Sequence, residues 1–296
     1  MQHTTIKRAI DPAHTTMKPA SAAAGAALLC MLSMSSVQFG AALSAPTMAA
    51  YGSLSTTWLR LSWAALVLAV LVRPRLLAYS RAHWVAAGAL GAAMAGMTLC
   101  FFAALQRIPL GLAVAIDFLG PLAVATLAVR RARALLWPVL AIAGVVLLSR
   151  DRAGRIGEPL GVLLALAAAL GWGSYIVLMK KAGKLFVGLE GLSVSLIAAA
   201  LIATPFGLAE SGLHIAPGQL AATAGLAILV PLLPYALEMV ALRHMPAGSF
   251  GILMSVEPAI GAVAGFIVLH QPMGVLQIVG TLLVVAASVG AVMAAR

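Results

Sequence analysis

The chain of 296 residues carries a formal net charge of +11, yet only 9% of its residues are charged and 62% are apolar. A soluble domain needs about a quarter of its residues charged to cover its surface. The composition therefore excludes a water-soluble protein and predicts an integral membrane protein with lipid as its solvent. The excess of Lys and Arg is expected in cytoplasmic loops and not at a nucleic-acid interface.

Ten apolar stretches are predicted to cross the membrane as helices, since a bilayer core of about 30 Å needs about 20 residues per helix. Residues 1–20 are polar and are predicted to form a disordered cytoplasmic tail. The fifth stretch is the shortest. In chain order, the predicted spans are 22–42, 53–72, 84–105, 110–129, 135–148, 160–179, 189–208, 220–242, 248–269 and 275–294.

Basic residues are distributed unevenly over the predicted loops. With the N-terminus inside, fourteen of them face the cytoplasm and four face outside, and Arg60 alone lies within a span. Because positively charged loops remain on the cytoplasmic side, both termini are predicted to be cytoplasmic.

An internal repeat relates the two halves of the chain. A shift of 137 positions places ALQRIPLGLAVAIDFLGP (104–121) over ALRHMPAGSFGILMSVEP (241–258), with two prolines, one glycine and the initial Ala-Leu in register. The predicted repeats are 21–150 and 157–296. Five spans per repeat is an odd number, so the second copy is inverted, an arrangement of secondary transporters with a site near the midplane. The alternative is a chance similarity between segments rich in Ala, Leu, Gly and Pro.

Three acidic residues, Asp117, Glu238 and Glu257, lie within predicted spans. Each costs about 2.5 to 3.5 kcal/mol at a helix centre, so each must face protein or water and have a partner or a proton. Depths estimated at about 1.5 Å per residue place Glu257 near the midplane and suggest a ladder of acids across the bilayer. The alternative is that they are uncharged packing groups.

Arg60, in TWLRLSW, is predicted at nearly the depth of Asp117. A salt bridge or a shared water between the two is one interpretation. The other is that Arg60 extends to the outer interface beside Trp58, as long cationic side chains do.

Prolines inside the spans predict helix breaks, which lipid does not tolerate but a polar cavity can use. Tyr235 and Glu238 lie one turn apart on the same helix face, which favours a ligand contact for Tyr235 over an interfacial role. Gly88, Ala92 and Gly96 predict a helix-packing seam, and such seams permit a homodimer. The predicted breaks are at Pro121, Pro231, Pro234 and Pro258, and the possible cavity-lining residues are Gln38, Trp172 and Tyr175.

Motifs for other chemistry are absent from the sequence. No P-loop, HExxH or Cys/His cluster occurs, so neither ATP hydrolysis nor a metal or other cofactor is predicted. Ser193 and Ser249 resemble an intramembrane serine nucleophile, but no histidine lies well inside a span to act as its base. The sequence therefore predicts a protein that is not an enzyme.

Three stretches carry a resemblance to a known family: IPLGLAVAIDFLGPLAVA (108–125), LPYALEMVALRHMP (233–246) and FGILMSVEPAIGAV (250–263). With the predicted spans, they resemble the EamA-type branch of the drug/metabolite transporter superfamily, and within it the bacterial inner-membrane threonine/homoserine exporters. The resemblance implies efflux of small neutral amino acids in exchange for protons, through a cavity between the third, fourth, eighth and ninth spans. The family subgroup usually carries glutamate where this chain has Asp117, which puts the substrate in question more than the mechanism.

These observations predict a proton-coupled amino-acid exporter that works by alternating access. Glu257 and Glu238 would exchange protons and bind the ammonium group of the substrate, and Asp117 and Arg60 would form the outer counterpart. Export of another metabolite or of a cationic drug is the first alternative. A membrane scaffold without flux is the second, although it would leave three buried acids without a purpose.

Overall fold

The computed structural model describes residues 19–128, 136–148, 158–212, 215–244, 253–254 and 256–294. Throughout these ranges the regular elements are helical, and no strand occurs among them. Residues 1–18 of the predicted tail lie outside the described residues. The same is true of Ser249 and of the start of the ninth predicted span. The helices are α1 (Pro19–Tyr51), α2 (Ser53–Val72), α3 (Arg81–Leu105), α4 (Leu110–Asp117), α5 (Leu119–Ala128), α6 (Leu136–Leu148), α7 (Pro159–Leu185), α8 (Glu190–Ser211), α9 (Pro217–Ala227), α10 (Leu233–His244), α11 (Glu257–Leu269) and α12 (Val275–Ala294).

Six of the described helical segments are long and apolar enough to cross a membrane: Ala27–Tyr51, Ser53–Val72, Arg81–Leu105, Pro159–Leu185, Glu190–Ser211 and Pro217–Glu238. Four more apolar helices are shorter, namely Leu110–Val124, Leu136–Leu148, Glu257–Val268 and Val275–Gly290. The chain is thus a multi-pass, all-helical membrane protein.

Two helices are longer than the sequence predicts. α1 includes Pro19 and Ala20 of the predicted tail and continues past Ala42 to Tyr51, and α7 continues through its exposed lysines to Leu185. Hydropathy marks only where apolar residues end, whereas a helix continues while its backbone hydrogen bonds are made. α1 stops next to Gly52, whose φ of +87° is incompatible with a right-handed helix.

The helices pack in pairs around the centre of the molecule. α3 lies against α7 and α8, α2 against α8, and α1 against α10 and α11. α4 packs on α11 and α6 on α12. At the contact between α4 and α11, a Cβ added to Gly111 would lie 3.3 Å from Ala262, and one added to Gly261 would lie 2.9 Å from Val114. Glycine therefore allows these two backbones to approach closely.

The predicted seam on α3 makes no helix contact within the described part of the chain, and its role in a homodimer stays a prediction. A Cβ added to Gly88 or Gly96 would meet no atom within 4 Å, whereas one added to Gly91 would meet the backbone of Ser195 on α8 at 2.6 Å. Small residues recur on more than one face of α3, and spacing alone does not tell which face packs against a neighbour.

Prolines lie at or next to three helix breaks. α4 ends at Asp117, four residues before Pro121, and Val230, four residues before Pro234, has a non-helical φ of −148°. Proline cannot donate to the carbonyl four residues earlier and its ring clashes with that carbonyl, which explains both positions. In the third case Val256 is a turn residue, and Pro258 lies in the first turn of α11, where proline is well tolerated.

Candidate functional site

The three breaks border one cavity of about 90 Å³ in the middle of the helix bundle. This volume is sufficient for several water molecules. Its walls come from α1, α3, α4, α7, the broken segment between α9 and α10, α10 itself and the start of α11. Nine residues singled out from the sequence line the cavity: Gln38, Asp117, Trp172, Tyr175, Pro231, Pro234, Tyr235, Glu238 and Glu257. Arg60, Pro121 and Pro258 are not among the lining residues.

Glu257 is the first residue of α11 and is only 4% exposed. Its Oε1 accepts a hydrogen bond of 3.0 Å from Nε2 of Gln38 on α1. Its Oε2 has no hydrogen-bond partner in the described part of the chain. A buried oxygen of this kind is costly unless a donor, such as a proton or a bound cation, satisfies it.

Glu238 lies on α10, one turn after Tyr235. Its Oε1 accepts a hydrogen bond of 2.8 Å from Ser33 on α1. The ring of Tyr235 stacks on that of Tyr175 with their centroids 5.7 Å apart. α1, α7 and α10 thus meet at this side of the cavity.

Asp117 is the last residue of α4, at the edge of the first break. Its buried Oδ1 has no partner among the described residues. Asp117 lines the same cavity as Glu238 and Glu257. The three predicted acids therefore line a single cavity.

Arg60 does not form the ion pair with Asp117 that its depth suggested. The one ion pair within the described ranges joins Arg107 to Glu158. The guanidinium of Arg60 instead donates to Ser44 Oγ at 2.7 Å and lies 3.8 Å above the ring of Phe102. The alternative, an extension to the outer interface, is also wrong because Arg60 is only 1% exposed.

Several lining residues were not predicted from the sequence. Met97, Thr98, Phe101 and Phe102 of α3 all face the cavity, and Ser33 of α1 donates to Glu238. The apolar members of α3 carry no signal that distinguishes a cavity wall from a lipid-facing side. Thr98 is the one polar residue in that stretch, and its polarity is the one signal that could have identified it.

Comparisons with known proteins agree with this architecture. A family model described as "EamA-like transporter family" matches residues 159–293. The "Threonine/homoserine exporter RhtA" of Salmonella typhimurium (strain SL1344) is 35% identical over 275 residues, covering 91% of this chain and 92% of the relative. The protein of that name from Escherichia coli (strain K12) is 34% identical over the same coverage. A solved crystal structure superposes with a TM-score of 0.62 over 90% of this chain and 95% of that chain. The two sequences are 19% identical, so this likeness shows that they share a fold and nothing more.

Proposed function

The chain belongs to the EamA-like transporter family, and on that premise we propose that it exports small neutral amino acids of the threonine and homoserine kind in exchange for protons. The relatives named as exporters of these two amino acids match nearly the whole chain. Transporters of this family are not enzymes, and the cavity needs to bind and release its occupant without chemical change.

The main support for this proposal is the cavity, which is lined by three carboxyl side chains. Glu257 Oε2 and Asp117 Oδ1 have no donor within the described ranges, and an ammonium group brings three N–H donors. The same oxygens can be satisfied by protons instead. Substrate release on one side and proton release on the other would then be coupled, because each ligand displaces the other from the same acids.

Alternating access is supported by the arrangement of helix pairs. If the two halves are repeats, α3 on α7 corresponds to α10 on α1, and α5 on α7 corresponds to α11 on α1; all four contacts occur. Two further close pairs, α2 with α8 and α6 with α12, map onto themselves, and α3 on α8 corresponds to α9 on α2, which also occurs. We take the repeats as 21–150 and 157–296, with ten spans, inverted topology, both termini cytoplasmic and a location in the bacterial inner membrane.

Purified protein in vesicles with an imposed pH gradient tests the proposal. We expect wild-type protein to move labelled threonine or homoserine against its gradient, and Glu257→Gln to lose the dependence on the pH gradient. Glu158→Gln is the matched control, since this exposed glutamate lies outside the cavity. Undiminished coupled flux in Glu257→Gln would remove the proton role from Glu257, and the absence of any flux in the wild type would favour a scaffold.

A cationic substrate is the second candidate, favoured by the aromatic side chains that line the cavity next to its acids. Phe101, Phe102, Trp172, Tyr175 and Tyr235 all contribute to its walls, and aromatic faces attract organic cations. Competition between labelled threonine and a quaternary ammonium compound distinguishes the two. Strong competition would favour the cationic substrate.

A further inference from the structure

Arg60 is a buried cation to which the described part of the chain supplies no counter-ion. It lies on α2 with 1% of its surface exposed, and no described carboxylate forms an ion pair with it. An ion removed from water costs several kcal/mol unless it is paired and hydrogen-bonded. Such a cation therefore requires an anion that is absent from the described helices.

The hydrogen bonds of Arg60 leave one edge of the guanidinium free. Nη1 donates to Ser44 Oγ at 2.7 Å, and the hydroxyl of Ser44 in turn donates to the Gly40 carbonyl at 2.7 Å. Nη2 has only a long contact of 3.5 Å with Thr57 Oγ1, and Nε has no partner among the described residues. Nε and Nη2 form the side of the fork that accepts a carboxylate through two parallel N–H···O bonds.

Phe102 contacts both the guanidinium of Arg60 and the cavity. Its ring contacts the guanidinium at 3.8 Å from the ring centroid, and the same side chain lines the cavity. A rotation of the Phe102 side chain would therefore open a path between Arg60 and the occupant of the cavity.

We propose that the Nε–Nη2 edge of Arg60 binds the carboxylate of the transported amino acid, and that Phe102, which stacks on the face of the guanidinium and lines the cavity, separates Arg60 from the cavity when no substrate is present. The proposal rests on the proposed function and adds the group that recognises the anionic end of the substrate. The ammonium end binds the acids of the cavity, while the carboxylate end selects amino acids against amines.

A competition experiment in vesicles tests the role of Arg60. Exchange of labelled threonine is measured against unlabelled threonine and against threoninamide, which lacks the carboxylate. We expect wild-type protein to prefer threonine by about tenfold or more, as for a hydrogen bond to a charged group. In Arg60→Gln the two competitors should become equal within about threefold, and Arg60→Lys should fall between, since lysine keeps the charge without the fork.

The controls separate this inference from the proposed function. Arg81→Gln, at an exposed position at the start of α3, should behave as the wild type. If wild-type protein exchanges no amino acid, the proposed function fails. If it exchanges threonine and Arg60→Gln still rejects threoninamide as strongly, only the carboxylate site is overturned.

A second variant keeps the proposal testable if Arg60→Gln does not fold. Phe102→Leu retains Arg60 but removes the aromatic ring, so less has to be displaced before a carboxylate binds. We expect the KM for threonine to fall by about three- to tenfold, the size of a cation–π interaction. Phe266→Leu, on the exposed face of α11, is the control. A raised or unchanged KM in Phe102→Leu would contradict the separating role.

Discussion

Two of the three breaks at the cavity, the one between α4 and α5 and the one before α11, lie close to prolines that coincide in the internal repeat, but their carboxylates lie on opposite sides of the break. Asp117 is the last residue before its break, and Glu257 is the first residue of the helix that follows its break. The shift of 137 positions places Pro121 over Pro258, but it places Asp117 over Met254 and Glu257 over Gly120. The prolines of the two segments thus correspond, while their acids do not.

Packing explains why the second half cannot simply copy the first. A side chain at position 120 would collide with the carbonyl of Ala169 on α7, so no acid fits there. Met254 is buried against Met34 and Phe118, which leaves an apolar environment where an aspartate would stand. Each segment therefore has one position that accommodates an acid.

The difference also concerns helix ends. The N-terminal end of a helix stabilises negative charge and the C-terminal end destabilises it. Glu257 lies at the start of α11 and receives a hydrogen bond from Gln38, whereas Asp117 lies at the end of α4 with an unpartnered oxygen. We therefore expect Glu257 to contribute more than Asp117 to the binding of the ammonium group.

The largest expected effect comes from replacing the two acids, Glu257 and Asp117, one at a time. Glu257→Gln should lower pH-driven threonine flux by about ten- to a hundredfold, since a hydrogen bond to a charged group is lost. Asp117→Asn should lower this flux less, because Asp117 lies at the C-terminal end of its helix, where negative charge is disfavoured. Flux profiles over a range of pH values check both variants, and equal losses would show that the position relative to the break is immaterial.

A second prediction tests the packing that excludes an acid from α5. Gly120→Ala should destabilise the protein by about 1 to 3 kcal/mol, the usual range for overpacking, because its Cβ would collide with the Ala169 carbonyl. Gly96→Ala is the control, since a Cβ there meets nothing within 4 Å. Thermal unfolding in detergent measures both, and a Gly120→Ala protein as stable as the control would refute the close contact.

A third prediction compares the two prolines. Pro121→Ala restores a backbone N–H that can donate to the backbone carbonyl of Asp117, so α4 should continue into α5. This change would move the carboxyl of Asp117 and lower threonine flux severalfold. Pro258→Ala alters a first-turn position where no helical donor is needed, so its flux should stay within about twofold of the wild type. The same vesicle assay measures both. The reverse order of effects would assign the break to other residues.

The smallest expected effect concerns Gln38, the donor to Glu257. Gln38→Met keeps the size of the side chain but removes one hydrogen bond to Glu257, and the net contribution of a typical hydrogen bond is about 0.5 to 1.5 kcal/mol. We expect a rise in the KM for threonine without loss of folding. Ser174→Ala, at an exposed position on α7, serves as control. An unchanged KM would indicate that Glu257 is neutral when threonine binds.

The sequence predicted those features that depend on local chemistry. Apolar runs located the membrane-crossing helices, and Pro121 and Pro234 marked breaks because a missing N–H acts within four residues. Buried acids such as Glu238 and Glu257 had to face a cavity because lipid cannot solvate them.

Features that depend on rotation about a helix axis were missed. Depth along the bilayer placed Arg60 beside Asp117, but its side chain points to Ser44 and Phe102 instead. Within the described helices, Gly91 of α3 makes the close contact and Gly88 of the predicted seam does not. Spacing fixes height along a helix, while the neighbour on each face is decided by all the other helices together.

The contact between α4 and α11 has a mechanical consequence. Gly111 meets Ala262 and Gly261 meets Val114 in this contact. Because few side chains interlock there, the two helices can rotate against each other. In the transport cycle proposed above, the two halves would move relative to each other, and this contact would offer little resistance to that movement. The lack of side chains at these two glycines would then be as important for transport as the carboxyls in the cavity.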